Sequence, residues 1–257
     1  MSEIHPTAIV DARAELGTDV TIGPYCIVGP EVELGDRGWL QSMVRLDGPA
    51  TIGADCRFYH GAVIGNDPQD LKFRGTRSGV RIGERNTFRE FCTVHRATGE
   101  GQATVVGNDN LVMAYAHIAH NCVVADRAIL ANSANLAGHV ELGEYAIIGG
   151  VTPVHQFVRI GAHTIIGGGC RVPKDVPPYV MAAGHPLAVH GLNSVGLRRR
   201  GFPPATLAEL EKLYRIFFRS GLVKEAAVAR IREACQPLPE VEFFCRFVER
   251  SVRGLTR

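Results

Sequence analysis

Residues 112–142, VMAYAHIAHNCVVADRAILANSANLAGHVEL, place an aliphatic side chain at every sixth position: Val112, Ile118, Val124, Leu130, Leu136 and Leu142. Neither the 3.6-residue period of a helix nor the two-residue alternation of a strand produces that spacing. A period of six is the mark of a parallel β-helix, in which each hexad lays down one short face and points its aliphatic residue into a shaft. Three hexads close a triangular turn of about 18 residues, so residues that far apart stack in adjacent coils, roughly 4.8 Å from one another.

The phase persists outward from this stretch. Counting by six from Ile4 to Val172 visits 29 positions, and only Asp70, Thr76 and Glu100 are not apolar. A chain with 46% hydrophobic residues would leave about half of them polar by chance. Glycines after the aliphatic residue, as in Leu16-Gly17, Ile22-Gly23, Leu34-Gly35, Ile52-Gly53 and Ile160-Gly161, suit corners that require unusual backbone angles. Two stretches, 66–79 and 97–103, are too polar and too rich in turn formers to be shaft. Loops leaving a rigid repeat are common places for binding residues, and the first of these holds Asp70 and Lys72 close together.

The reading divides the chain into a β-helix over 1–175 and a helical domain over 176–257, with Val176-Pro177-Pro178-Tyr179 as linker because proline cannot continue a strand ladder. Beyond it Leu207, Leu210, Leu213, Tyr214, Phe217 and Phe218 recur at helical spacing after Pro203-Pro204, and Gly221 follows as a stop. A second helix fits Val223 to Cys235 and a third Pro239 to Val252. The fold class is mainly β: a parallel β-helix of hexapeptide repeats followed by a small C-terminal α-helical domain.

A net charge of +2 gives no reason to expect nucleic acid as a partner. Seven cysteines, an odd number spread through coil and tail, read as small buried side chains in a reducing compartment. No apolar leader opens the chain and no 18-residue apolar run occurs, so we expect no membrane span and a cytoplasmic location.

The count of 18 turns spacing into geometry. It stacks His120 with Gly138 and Gln156, sets Asn121, His139 and Phe157 in one flanking column, and sets Ala119, Ala137 and His155 in the other. If the second loop adds about six residues without advancing the coil, His95 joins the last column. His95, His120, His139, His155 and Gln156 then share one edge of the shaft, with His163 on another face. No Ser/His/Asp arrangement is evident. His117 and His120 are two residues apart, unlike the His-x4-His of the zinc-binding hexapeptide carbonic anhydrases, so no metal is expected. What remains is a neutral imidazole acting as general base on a hydroxyl, with the Gly138 N–H available to an oxyanion. That pairing implies direct acyl transfer with no covalent enzyme intermediate.

Several segments carry a specific resemblance: His117-Ile118-Ala119-His120, Leu130-Ala131-Asn132, Leu136-Ala137-Gly138-His139-Val140, Ala146-Ile147-Ile148-Gly149-Gly150, His155-Gln156-Phe157, Asp175-Val176-Pro177-Pro178-Tyr179-Val180 and Arg199-Arg200-Gly201-Phe202. Together, over essentially the whole chain, they resemble the acyl-ACP:UDP-N-acetylglucosamine O-acyltransferases that begin lipid A synthesis. The resemblance implies a left-handed coil, a homotrimer and no cofactor, the acyl donor being carried on acyl carrier protein. It implies transfer of an (R)-3-hydroxyacyl chain to the 3-hydroxyl of UDP-GlcNAc, with His120 as base and Gly138 as oxyanion donor. By the same resemblance His139 lies near the acyl hydroxyl, Asp70 and Lys72 by sugar and donor, and His95, His117, His155 and Gln156 along the nucleotide-sugar site. Asn193 and Arg199 would meet uridine and diphosphate, and Gly168 would leave the acyl groove open to about fourteen carbons.

Two positions depart from some members. Asn121 stands where a carboxylate follows the catalytic histidine, leaving a backbone carbonyl to orient it, and Val195 stands where a glutamate faces the ribose. The alternatives are amide-forming transfer to a 3-amino UDP-sugar, another hexapeptide sugar acyl- or acetyltransferase, and a scaffold without catalysis.

Overall fold

The structure, a computed structural model, describes residues 2–257. Strands of two to four residues alternate among three parallel sheets. The first contains Glu3–Ile4, Ile129–Leu130 and Ile165–Ile166; the second contains Ile9–Val10, His117–Ile118 and Pro153–Val154; the third contains Glu15–Leu16, Val123–Val124 and Arg159–Ile160. From Glu3–Ile4 to Ile165–Ile166 consecutive strands belong to different sheets, so the chain winds around a triangular prism. Leu111, Ile129, Ile147 and Ile165 lie in register, 18 residues apart. Arg57 pairs with Thr87 and Thr87 with Leu111, separations of 30 and 24. The two polar stretches thus bulge out with 12 and 6 extra residues, and the coil resumes in step.

Each hexad sends two side chains inward: the aliphatic residue and a small one two places before it. Ile118 with Ala116, Leu136 with Ala134 and Ile148 with Ala146 are all 0% exposed. Cys26, Cys56, Cys92, Cys122 and Cys170 hold that small inner place, which accounts for most of the cysteines; all seven are buried free thiols. Close packing of this kind tolerates little change in side-chain volume.

The corners correct one expectation. Gly17, Gly23, Gly35, Gly53 and Gly161 have ordinary backbone angles, and what they provide is room. A Cβ on Gly23 would stand 1.6 Å from the Gln41 carbonyl oxygen of the next coil, and one on Gly35 would stand 2.7 Å from the Ala54 nitrogen. The left-handed angle falls two residues later and is borne by side chains of many kinds, among them Asp19, Tyr25, Asn121, His139 and Val151.

These left-handed residues line the three edges of the prism. Between the first and second sheets stand Tyr25, Met43, Phe91, Tyr115 and Val151, exposed by 45% to 68%. Between the second and third stand Asn121, His139 and Phe157. Between the third and first run Asp19, Arg37, Asp55, Arg85, Asp109 and Arg127, with Arg37 paired to Asp55 and Arg85 to Asp109, both at 2.7 Å.

Pro177 and Pro178 do not end the coil. Val176 still bridges to Ile160, the Thr164 hydroxyl donates to the Pro177 carbonyl at 2.8 Å, and Val180–Ala183 extends the first sheet beside Ile165–Ile166. A proline carbonyl accepts as well as any other, so the last pass needs only to avoid the missing donor. Val180–Ala183 then turns back as a hairpin with Ala188–Leu192.

Four helices follow: α1 Ser194–Arg199, α2 Pro204–Arg219, α3 Lys224–Ala234 and α4 Pro239–Glu249. The short α1 had no counterpart in the sequence reading, and α4 ends three residues before Val252. Leu197, Leu210, Leu213, Phe217, Phe244 and Val248 form their common core. Asp175, fully buried, ties the domain to the coil by accepting from the Arg159 N–H at 2.8 Å and the Ser251 hydroxyl at 2.7 Å. Among the described residues no helix is long and apolar enough to cross a membrane.

Candidate active site

The edge between the second and third sheets gathers four histidines. His117 projects outward from its strand, and its Nδ1 lies 2.6 Å from the Thr93 hydroxyl of the preceding coil. Its ring meets His95 edge-on at 4.8 Å, and His120 meets His139 edge-on at 5.3 Å. His139 in turn stacks on Phe157 at 4.6 Å. Burial, reinforced by neighbouring imidazoles, lowers the pKa of His95 and His139 and brings that of His117 down to about 4. These three rings are therefore neutral at physiological pH. His95 is 5% exposed and its Nδ1 has no hydrogen-bond partner among the described residues. An orphaned buried polar atom of this kind is uncommon unless something else satisfies it.

His120 lies two residues past the end of its strand, at the start of the corner. Its Nδ1 lies 3.0 Å from Asn121 Oδ1, so a side-chain amide, not a backbone carbonyl, orients the imidazole. Gly138 presses on the opposite side of the ring: a Cβ there would stand 2.4 Å from Cε1 and 2.6 Å from Nε2. Only a residue without a side chain fits. Along the column His120, Gly138 and Gln156 no N–H donates within the backbone ladder among the described residues. At Gly138, a buried residue whose absent Cβ would stand 2.6 Å from His120 Nε2, this leaves the N–H without a backbone acceptor among the described residues.

The register bears out the spacing inferred for the second loop. Thr93 pairs with His117 and Val94 with Ile118, so His95 aligns with Ala119 and, two coils further, with His155. His155 and Gln156 occupy the same edge but lie outside the four-histidine cluster; His155 Nδ1 meets the Gln156 carbonyl, at 3.1 Å. Asp70 belongs to the first loop, and its charge reaches His139. The Lys72 N–H donates to Asp70 Oδ1 at 2.9 Å, while its ammonium has no partner among the described residues. Arg96 pins this loop through its ion pair with Asp67 and its place over the Phe73 ring, 5.4 Å from the centroid.

Three expected residues lie elsewhere. Gly168 is exposed at the apolar edge, across the second sheet from His120. Asn193 caps α1: its Oδ1 accepts from the Gly196 N–H at 3.1 Å and its Nδ2 donates to the His163 carbonyl at 2.9 Å. Arg199 is exposed on the last turn of α1.

Sequence reasoning passed over Arg200. It lies 4.7 Å over the Tyr145 ring beside His163, and burial lowers its pKa. A half-buried guanidinium that lies over an aromatic ring and forms no ion pair among the described residues, although the Glu144 charge reaches it, is a ready anion partner. Among the described residues no three of His, Cys, Asp or Glu are disposed to hold one metal ion.

Known proteins place this geometry. Residues 103–138 match the family described as bacterial transferase hexapeptide (six repeats), and residues 175–256 match Udp N-acetylglucosamine O-acyltransferase, domain 2. A Thermodesulfovibrio yellowstonii protein named acyl-[acyl-carrier-protein]--UDP-N-acetylglucosamine O-acyltransferase is 45% identical over 258 residues, spanning 100% of both chains. Its namesake from Verminephrobacter eiseniae is 47% identical over 262 residues, again 100% of both. The chain belongs to the acyl-[acyl-carrier-protein]--UDP-N-acetylglucosamine O-acyltransferase family. Crystal structures agree with that membership. The UDP-N-acetylglucosamine O-acyltransferase of Moraxella catarrhalis superposes with a TM-score of 0.95 at 42% identity, covering 99% of each chain. That of Bacteroides fragilis gives 0.96 at 38%, covering 99% of this chain and 100% of the other. The coil of this UDP-N-acetylglucosamine O-acyltransferase family member is accordingly the left-handed parallel β-helix, and the protein is an acyltransferase.

Proposed function

We propose that the protein transfers an (R)-3-hydroxyacyl chain of about fourteen carbons from acyl carrier protein to the 3-hydroxyl of UDP-GlcNAc, opening lipid A biosynthesis in the cytoplasm without a cofactor. The observation that carries the reading is the unpaired Gly138 N–H set against the Nε2 side of His120. His120 Nε2 takes the proton of the sugar hydroxyl as its oxygen attacks the thioester carbon. The oxyanion is received by the Gly138 N–H. Collapse expels the carrier thiolate, which recovers the proton from the imidazolium. Full-length relatives carrying the name of this reaction support the substrates.

In this reading His139 meets the 3-hydroxyl of the acyl chain, Asp70 and Lys72 lie by the sugar and the acyl donor, and His95, His117, His155 and Gln156 line the path of the nucleotide sugar. The free Nδ1 of His95 is the donor or acceptor waiting for that ligand. Gly168, Asn193 and Arg199 are far around the prism from His120, so they serve the site of a neighbouring copy in a homotrimer. The apolar edge of Tyr25, Met43, Phe91, Tyr115 and Val151 supports that assembly, since monomers rarely leave so many large apolar side chains along one edge to water. With both ends of its amide engaged, Asn193 contributes by fixing the start of α1, and Arg199 and Arg200 carry the diphosphate.

The test is mass spectrometry of products formed from 3-hydroxyacyl carrier proteins of about ten to sixteen carbons, offered with UDP-GlcNAc and its 3-amino analogue. An ester peaking near about fourteen carbons is expected; an amide would change the acceptor, and acylation only from acetyl-CoA would overturn the donor. His120→Ala is expected to lower turnover by about 10²-fold or more with the assembly intact. Retained turnover sinks the assignment of the base.

A further inference from the structure

The second loop reaches the reacting histidine through one intermediary. Asn121 Oδ1 accepts from the Thr98 N–H at 3.1 Å and the Thr98 hydroxyl at 2.9 Å, in addition to facing His120 Nδ1 at 3.0 Å. Its Nδ2 donates to Gln102 Oε1 at 2.7 Å. Its own N–H donates to the hydroxyl of the buried Thr104 at 2.8 Å. Thr98 and Gln102 both come from the six residues that the coil inserts here, and the Gln102 N–H closes the loop on the Gly99 carbonyl at 3.1 Å.

We propose that Thr98 and Gln102 are positioning residues that select the tautomer of His120 by locking the Asn121 amide in one orientation. The logic runs from the group with no choice. A backbone N–H can only donate, so the Asn121 atom facing Thr98 is the oxygen. That oxygen also faces His120 Nδ1, which must therefore carry the ring proton. The lone pair of the neutral imidazole is left on Nε2, on the Gly138 side. Turning the amide over would set its NH₂ against the Thr98 N–H, which has no alternative role; Gln102 could meet the turned amide only by turning its own, so Thr98 sets the orientation and Gln102 holds Asn121 in place. An imidazole freed from this acceptor populates the other tautomer, with the proton on Nε2, where it cannot act as base. The inference rests on His120 being that base.

The full-length protein tests it by ¹⁵N spectroscopy of the histidine rings, read beside kcat and KM. In the wild type the His120 Nδ1 resonance should be protonated and Nε2 bare. Gln102→Met removes the acceptor at similar length; the Nε2–H form should appear and kcat fall by about 5- to 10-fold at constant KM. Gln102→Glu still accepts from Nδ2 and should restore both. Asn121→Gly deletes the amide where φ is +59°, a backbone angle glycine takes freely, and should lower kcat by about 10²-fold. Asn121→Asp should move the acidic limb of the kcat profile up by about one pH unit, because a carboxylate favours the imidazolium. Unchanged tautomer populations in Gln102→Met and Asn121→Gly, or a KM that changes in step with kcat, would overturn the proposal. The tautomer is read without turnover, so this failure is distinct from that of the base, which His120→Ala reports.

Discussion

His117 shows what burial does to one residue. Packed against His95 and held by Thr93, it titrates near about 4 in the fold, as His163 does under Tyr145 and Arg200. The unfolded chain takes up both protons at about 6.5, so the folded state binds fewer protons between those values and loses stability as pH falls through that window. Urea titrations from pH 7 to 4 should show a slope of about 1.4 kcal/mol per pH unit for each such histidine, and His117→Gln should remove one share of it. Gly138→Ala is the complementary test. Its Cβ would meet His120 at 2.4 Å while the backbone angle remains permissible, so kcat should drop by about 10²-fold with little change in melting temperature. The vertical partnership of His120 and Gly138 was legible because a stacked coil makes sequence spacing equal to position. The lateral partnership of Asn121 with His120 was not, because it depends on a left-handed backbone angle and on two side chains of an inserted loop.

The hexad itself was legible, but its glycines were misread. The eye attributes a corner glycine to backbone freedom, whereas here the freedom is used two residues later and the glycine gives way to the coil above. Gly23→Ala should therefore cost about 1–3 kcal/mol, since the obstruction is a carbonyl and not a mobile side chain. Ser133→Gly, at φ +59°, should stay within about 1 kcal/mol of the wild type. Chemical denaturation of the pair would separate room from angle. The prolines misled in the same manner: Pro177 and Pro178 signal a missing donor, and an outermost pass of chain can do without one. α1 was missed because its six residues are too few to show a period.

At the scale of the molecule, the prism has one apolar edge, one histidine edge and one charged edge. If the first seats the proposed trimer, charge placed on it should dissociate that assembly: Tyr115→Lys with Val151→Asp should shift sedimentation from three times the 27.8 kDa chain to one, and turnover should fall even though the His120 edge is untouched. Continued trimer mass would show that contact lies elsewhere. The period made the prism legible from the sequence, but which edge is apolar emerged only when exposure was mapped onto the corners. The charged edge has a different meaning. The shaft repeats an aliphatic residue at every hexad, so its interior does little to count hexads per turn. Outside, Asp19 has Arg37 next to it at a full turn of 18, and Arg37 has Asp55. A turn one hexad short would put Glu31 against Asp19, and one hexad long would put Met43 there. Each exposed pair is worth only about 0.2–1 kcal/mol, yet its sign depends on correct counting. The surface thus tells one hexad from the next, which the core's period of six does not.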